Sequence, residues 1–233
     1  MLVRSILVAV CLLCACAGGP PAQLPGKARV FGALSLVPHT GVEVPSASGG
    51  SYGSRRMRDV ELVDYSKPGF AVVYAGEGAS PGGSAEIEIR DTRIEARFEP
   101  AEFAIGAGGH LTIVNETGDS HLLSYPAAGI FERIKSGSKL EIDVPEHGEQ
   151  HMFLVDVLSA EATLFVAPGP YAVVSTSGEY ELRNLEPGAV DVRAWHPRFP
   201  PAVRRVELAP DASLRVDLQM GVDVAPGDAS DAP

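Results

Sequence analysis

The sequence predicts an all-β protein made of two β-sandwiches. Its apolar residues alternate with polar ones over short runs, which is the period of a strand with one buried face. No window has the apolar period of an amphipathic helix. Turn-forming residues separate the runs, most clearly in the Pro-Gly pairs that begin at residues 68, 81, 168 and 187.

The expected strands follow one another along the chain at short intervals. The first two lie at residues 29–37 and 69–74, and the Gly/Ser-rich stretch at 45–54 between them predicts a loop. The other alternating runs predict strands at 85–90, 110–114, 139–144, 162–166, 178–182, 189–194 and 213–218.

The first residues have the features of an export signal. An apolar run at residues 6–13 follows Arg4 and is too short for a membrane-spanning helix. Residues 1–15 are therefore expected to be a signal peptide.

The end of this leader, Leu13-Cys14-Ala15-Cys16, resembles the lipobox of bacterial lipoproteins. The resemblance implies that Cys16 carries the lipid, whereas an ordinary cleaved signal is the alternative. Residues 16–27, rich in Gly, Pro and Ala, are then a lipidated tether. In that family Ala17 after the cysteine implies the outer membrane of a Gram-negative bacterium, so the expected location is the cell envelope.

All three cysteines, Cys11, Cys14 and Cys16, lie in this leader. The domain that follows has no thiol, so an apolar core must hold it together without disulfides. A hydrophobic content of 45% is sufficient for such a core.

The chain has a formal net charge of −11, and its acidic residues are mostly scattered. A dispersed negative charge argues against nucleic acid or an anionic lipid surface as a partner. Residues 222–233 lack aromatic side chains and predict a disordered acidic tail.

A spaced pattern of residues occupies the middle of the chain: Phe98, Pro100, Asn115, His121 and Ser124. The residue types and their spacing resemble cupredoxin-like domains of the methylamine-utilisation and plastocyanin type. The resemblance covers residues 84–167 and implies a Greek-key sandwich in which His121 stands at the position of the first copper ligand.

A blue-copper centre also needs a thiolate, a second imidazole and usually a thioether. In the family these belong to a late Cys-x-x-His-x-x-Met loop. Alignment back from the strand at 162–166 places Leu154, Val157 and Ala160 at those three positions. Because no cysteine elsewhere replaces the thiolate, the sequence excludes a blue-copper centre.

A histidine-only site for copper or zinc is a second hypothesis. His147 and His151 are expected at a turn between two strands, near the end of the sandwich that holds His121. The competing interpretation is a solvated turn, with His121 hydrogen bonded to a loop carbonyl, to Ser124 or to Asp119.

The two ends of the chain carry a second resemblance. Residues 177–182, 185–188 and 190–196 resemble the carboxypeptidase regulatory-like module, a transthyretin-like sandwich that is not itself a peptidase, and residues 30–34 and 71–74 resemble its opening strands. We expect this sandwich to be built from residues 28–80 and 168–221, with the cupredoxin-like segment inserted into it or packed on it.

No residue set predicts catalysis. Ser51 lies in a formal G-x-S-x-G motif, but that motif requires a strand before it and a helix after it. Trp195 suggests a carbohydrate or partner contact, whereas packing at a junction between the two sandwiches is the alternative.

The expected function is that of a non-catalytic, lipid-anchored binding or structural protein of the cell envelope, with no cofactor. Its expected partners are the membrane, through the N-terminal lipid, and an unidentified envelope protein or glycan. A histidine-only copper or zinc carrier and a carbohydrate-binding module are the alternatives.

Overall fold

The structure, a computed structural model, describes residues 23–39, 64–76, 82–144 and 147–224. The expected signal peptide, Cys16, Ser51 and most of the acidic tail lie outside these ranges. The described residues form strands and one short 3-10 helix, which confirms the all-β prediction. None of the helical residues described forms a helix long and apolar enough to cross a membrane.

Strands from both ends of the chain form one sandwich, here called the terminal sandwich. One of its sheets has the order β13-β1-β16, with β17 also paired to β1, and the other has the order β12-β2-β14-β15. Its strands are β1 (Ala28–Leu36), β2 (Val72–Ala75), β12 (Tyr171–Val173), β13 (Glu179–Leu185), β14 (Gly188–His196), β15 (Phe199–Leu208), β16 (Ser213–Arg215) and β17 (Leu218–Met220).

The strands between β2 and β12 form a second sandwich, here called the insert sandwich. Its sheets have the orders β5-β11-β10-β7-β8 and β4-β3-β6-β9. Its strands are β3 (Ser84–Asp91), β4 (Ala96–Glu99), β5 (Glu102–Gly106), β6 (His110–Asn115), β7 (His121–Tyr125), β8 (Ile130–Ile134), β9 (Lys139–Asp143), β10 (Gly148–Leu154) and β11 (Glu161–Ala167), with the 3-10 helix at Pro126–Ala128.

Alternation along the strands gives each sandwich its core. In β3 the side chains of Ile87 and Ile89 are fully buried, and in the neighbouring β6 so are those of Leu111 and Ile113. Each such side chain contributes about 1.5–3 kcal/mol when it leaves water. The terminal sandwich has a core of its own, which includes Val30 and Val192.

An aromatic cluster joins the two sandwiches. The ring of Phe165 on β11 stacks on that of Trp195 on β14, with 4.4 Å between ring centroids, and Phe70 meets the same indole edge-on at 5.8 Å. The Tyr74 ring lies 5.5 Å from Phe165. The two sandwiches are therefore packed on one another through side chains and are not merely linked in sequence.

The segment at residues 23–27, expected to belong to the tether, is hydrogen bonded to the terminal sandwich. The backbone N–H of Leu24 donates to the Asn184 side chain at 2.8 Å, and that of Gly26 donates to the Asp211 carboxylate at 2.6 Å. Lys27 forms an ion pair with Glu186. These contacts attach residues 24–27 to the terminal sandwich, and the expected tether over residues 16–27 stays a prediction.

Candidate functional site

The candidate site lies at the end of the insert sandwich where β6 finishes and β7 begins. β6 ends at Asn115, and β7 starts at His121 after a short polar turn. The loop from β10 to β11 reaches the same end, because Leu154, the last residue of β10, pairs with Leu123 of β7. The two segments that carry the cupredoxin-like pattern thus meet here.

Asn115 organises this turn from a fully buried position. Its side-chain amide donates to the carbonyls of Asp119 at 2.8 Å and Ile134 at 3.0 Å. Its side-chain oxygen accepts from the backbone N–H of Thr117 at 3.0 Å, two residues on, and from the Thr117 hydroxyl at 2.7 Å. The amide nitrogen and the amide oxygen of Asn115 therefore each make two hydrogen bonds, which close the turn around this side chain.

His121 is buried, with 7% of its surface exposed, and both of its ring nitrogens have partners. Nδ1 lies 3.2 Å from the Asp156 carboxylate, and Nε2 lies 3.1 Å from the Thr117 hydroxyl. These are not the expected partners, which were Ser124, Asp119 or a loop carbonyl. Asp156 is 35 residues away in sequence and arrives on the β10–β11 loop.

Asp156 ties that loop to β7. Its second carboxylate oxygen accepts from the backbone N–H of Leu122 at 2.8 Å, and the N–H of Val155 donates to the Leu122 carbonyl at 2.8 Å. Burial disfavours the charged carboxylate, but the bonds from Leu122 and from the Asp156 backbone, with the nearby His121 imidazole, outweigh it and lower the pKa of Asp156. Asn115, Thr117, His121 and Asp156 are called the His121 hub below.

The resemblance aligns three further residues with the copper ligands of cupredoxins, and all three are apolar side chains in apolar surroundings. Leu154 is 2% exposed and Ala160 is 5% exposed, and both belong to the core of the insert sandwich. Val157 packs against the same core. Since none of the three offers a donor atom, His121 has no thiolate, imidazole or thioether beside it at those positions.

The structure does not bring His121, His147 and His151 together. His151 lies within β10 rather than at a turn, and the β7–β10 register puts it five residues from the position opposite His121. At a strand rise of about 3.3 Å per residue, that separates the two along the sheet by about 16 Å. His147 lies further away, before the first residue of β10.

His151 has its own neighbours on the outer face of the sheet. Its ring nitrogens lie 3.3 Å from Glu149 and 2.8 Å from Glu161, and its ring stacks on Phe153 at 6.3 Å. Among the residues that the structure describes, no group of three or more His, Cys, Asp or Glu side chains has a metal-binding arrangement. The strand register therefore keeps the three histidines apart, and they do not form one metal site.

Trp195 lies at the junction described above and is half-buried there. One face of its indole stacks on the ring of Phe165, and the ring of Phe70 contacts the indole edge-on. A sugar ring would have to displace Phe165 to stack on that face of the indole. The position therefore suits domain packing better than carbohydrate recognition.

A pocket of about 400 Å³ opens beside His121 at this end of the sandwich. Its lining includes two strongly exposed aliphatic side chains that the sequence did not predict, Ile94 at 93% and Leu158 at 85% exposure. A sequence signal existed only for Ile94, which is an aliphatic residue inside the polar loop Thr92-Arg93-Ile94-Glu95, whereas Leu158 lies in a loop that is mostly apolar. Asp156 had no comparable signal, since its role depends on a contact that is distant in sequence.

Comparison with known proteins gives a distant structural neighbour. No protein-family model matches the chain, and no curated protein matches it. Among solved structures the chain is similar to the metal-binding domain of the Streptococcus pneumoniae Cu(I)-exporting P-type ATPase CopA, determined with Cu(I). The identity is 13%, the match covers 39% of this chain and 92% of that chain, and the TM-score is 0.29. A similarity this low carries no argument about function.

Proposed function

We propose that this chain is an exported, lipid-anchored and non-catalytic binding protein of the cell envelope. In this proposal a cupredoxin-like sandwich without a blue-copper centre is inserted into a carboxypeptidase regulatory-like sandwich. The strand order supports the inserted arrangement, because β1 and β2 precede the insert sandwich and β12 to β17 follow it.

The observation that carries the proposal is the state of His121. A histidine that serves a metal presents one ring nitrogen to it and anchors the ring through the other. In this structure both nitrogens of His121 already have protein partners, Thr117 and Asp156, and the side chain is buried. His121 therefore acts as a structural crosslink between the turn before β7 and the β10–β11 loop.

Metal analysis tests this proposal directly. The protein carrying Cys16→Ser is purified without an affinity metal, incubated with Cu(II) or Zn(II) and desalted. We expect less than about 0.1 equivalent of metal, the same value for His121→Gln, and a loss of about 1–3 kcal/mol in the unfolding free energy of that variant. Stoichiometric metal that disappears in His121→Gln would instead establish a copper or zinc carrier.

The lipid anchor is tested separately with the full chain. In a Gram-negative host fed labelled palmitate, we expect the wild-type protein to take up the label and to partition into a detergent phase. The Cys16→Ser variant is expected to do neither. Equal labelling of the two proteins would show that Cys16 is not the lipidated residue.

A further inference from the structure

Two strongly exposed aliphatic side chains lie on separate loops at the His121 end of the insert sandwich. Ile94 is 93% exposed and Leu158 is 85% exposed, and both line the pocket beside His121. Val155, on the same loop as Leu158, is 53% exposed. The loops 92–95 and 155–158 are called the tip below. Single exposed apolar residues are ordinary, but a cluster around one pocket marks an interaction surface.

The loop that carries Ile94 is held in one shape by Thr92. The Thr92 hydroxyl donates to the Glu95 carbonyl at 2.7 Å and accepts from the N–H groups of Ile94 and Glu95, each at 3.2 Å. The Thr92 N–H also donates to the Glu95 carbonyl at 3.0 Å. Ile94 is therefore displayed to solvent by an ordered turn between β3 and β4.

The loop that carries Leu158 is fixed by the His121 hub and by the core. Asp156 joins it to His121 and Leu122, and the N–H of Val157 donates to the Leu154 carbonyl at 3.1 Å. Val157 points into the core while Leu158, its neighbour, points away from it. A binding surface on such pre-ordered loops loses little conformational entropy when a partner docks.

Carboxylates surround the two aliphatic side chains. Asp91, Glu95, Asp119 and Asp156 line the pocket with Ile94 and Leu158, and the lining contains His121 but no lysine or arginine. Arg93 belongs to the same turn as Ile94 but is not part of the lining. An apolar centre with a charged rim is the usual composition of a protein–protein interface, in which the centre supplies affinity and the rim selects the partner.

We propose that the tip binds a partner protein whose contact surface has an apolar centre and a basic rim. The inference rests on the proposed binding function and names the surface and the partner chemistry for it. Charge decides between occupants: a second copy would bring a second acidic rim against the first, and an anionic lipid surface would repel the same four carboxylates. A basic protein surface alone satisfies both the aliphatic side chains and their rim.

The proposal gives His121 a positioning role. Its bond to Asp156 holds the loop that presents Leu158, while its bond to Thr117 holds the turn before β7. The hydrogen bonds of His121 thus maintain the shape of the tip.

The test uses a phage-displayed library of random peptides as the probe, panned on the Cys16→Ser protein. We expect the enriched peptides to combine Lys or Arg with aliphatic or aromatic residues. Synthetic versions should lose at least about tenfold in affinity on Ile94→Ser/Leu158→Ser, lose affinity on Glu95→Lys, and bind more weakly as salt increases. Because Ile94 and Leu158 are almost fully exposed, these variants should melt at the wild-type temperature.

A matched control distinguishes binding at the tip from nonspecific binding to exposed apolar side chains. Phe131→Ser removes an aromatic ring that is 66% exposed on β8, away from the tip, and should leave peptide affinity unchanged. Peptides that lack basic residues, equal binding to the tip variant, or no enrichment at all would overturn the proposal. A dimer in sedimentation velocity, or binding to vesicles, that is abolished by Ile94→Ser/Leu158→Ser would also overturn it. Metal analysis of the purified protein tests the proposed function separately, so failure of the peptide-binding proposal can be distinguished from failure of the proposed function.

Discussion

Asn115 shows how one side chain can hold a loop that carries a candidate site. It is fully buried, and its four side-chain hydrogen bonds reach Thr117, Asp119 and Ile134. No apolar residue can reproduce both its donors and its acceptor.

We therefore expect Asn115→Ala to lower the unfolding free energy by about 2–4 kcal/mol, since it leaves buried carbonyl and N–H groups without partners. Denaturant unfolding measures this. Thr112→Ala on the same strand, at a half-buried position, is the control and should cost less than about 1 kcal/mol. Equal stability of the two variants would contradict the assigned role of Asn115.

His196 gives a pH-dependent prediction. Its Nε2–H donates to the Pro68 carbonyl at 2.9 Å, and its Nδ1 accepts from the Arg198 N–H at 3.0 Å, which describes a neutral imidazole. Burial lowers the pKa of His196, with a smaller contribution from the positive charge of Arg198, and the bond to Pro68 only partly opposes this.

A folded pKa below the unfolded one means that the unfolded chain takes up the proton first as the pH falls below about 6.5. The contribution of His196 is then lost as the pH falls from about 6.5 toward its folded pKa. We expect the melting temperature of the wild type to fall more between about pH 7.5 and pH 5.5 than that of His196→Gln. An identical slope for both proteins would show that His196 does not titrate in this range.

For individual residues, the sequence predicted the features that depend on residue type alone. From its cysteine positions, the sequence excluded the thiolate centre. It did not predict the partners of His121, because Asp156 is brought there by the pairing of β7 with β10. Hydrogen bonds between residues that are distant in sequence depend on how the strands pair, and the spacing of residue types along the sequence does not show that pairing.

Among the strands, β1 depends on a residue without a side chain. It pairs in parallel with both β16 and β17, and the chain between these two passes directly over Gly32. A Cβ at position 32 would lie 1.9 Å from the carbonyl oxygen of Val216, so the close approach requires glycine.

We expect Gly32→Ala to destabilise the protein by about 1–3 kcal/mol, because the chain at Val216 must move off β1. Gly118→Ala is the matched control, since nothing lies within 4 Å of the Cβ that it adds. Thermal unfolding followed by circular dichroism compares the two. A smaller loss for Gly32→Ala than for Gly118→Ala would rule out the crowding at β1.

Strands were predicted where the alternation of apolar and polar residues is clear, and β15 is one of the strands that were not predicted. This strand, Phe199–Leu208, begins Phe-Pro-Pro, and two prolines argue against a strand. It is the edge strand of its sheet, and its two prolines lie where the register with β14 shifts, so the ladder tolerates their missing N–H groups. A sequence pattern does not reveal which strand lies at an edge, so this strand was not predicted.

The chain leaves the terminal sandwich after β2 and returns to it at β12, which sets the architecture of the protein. Two separate cores result, each with its own buried residues, and the small cluster around Phe165 connects them. The sequence resemblances suggested this division, but nothing in the sequence indicated that Phe165 is the contact.

Coupling between the sandwiches therefore depends on Phe165, which is 3% exposed and stacks on Trp195. Removal of its ring by Phe165→Ala should cost about 3–5 kcal/mol, most of it at the junction rather than within either core. We expect the wild type to unfold in one calorimetric transition and Phe165→Ala to unfold in two, one for each sandwich. Phe131→Ala, an equal truncation at an exposed position, should keep one transition near the wild-type temperature. One transition for Phe165→Ala, with calorimetric and van't Hoff enthalpies equal, would mean that the backbone crossings alone couple the sandwiches.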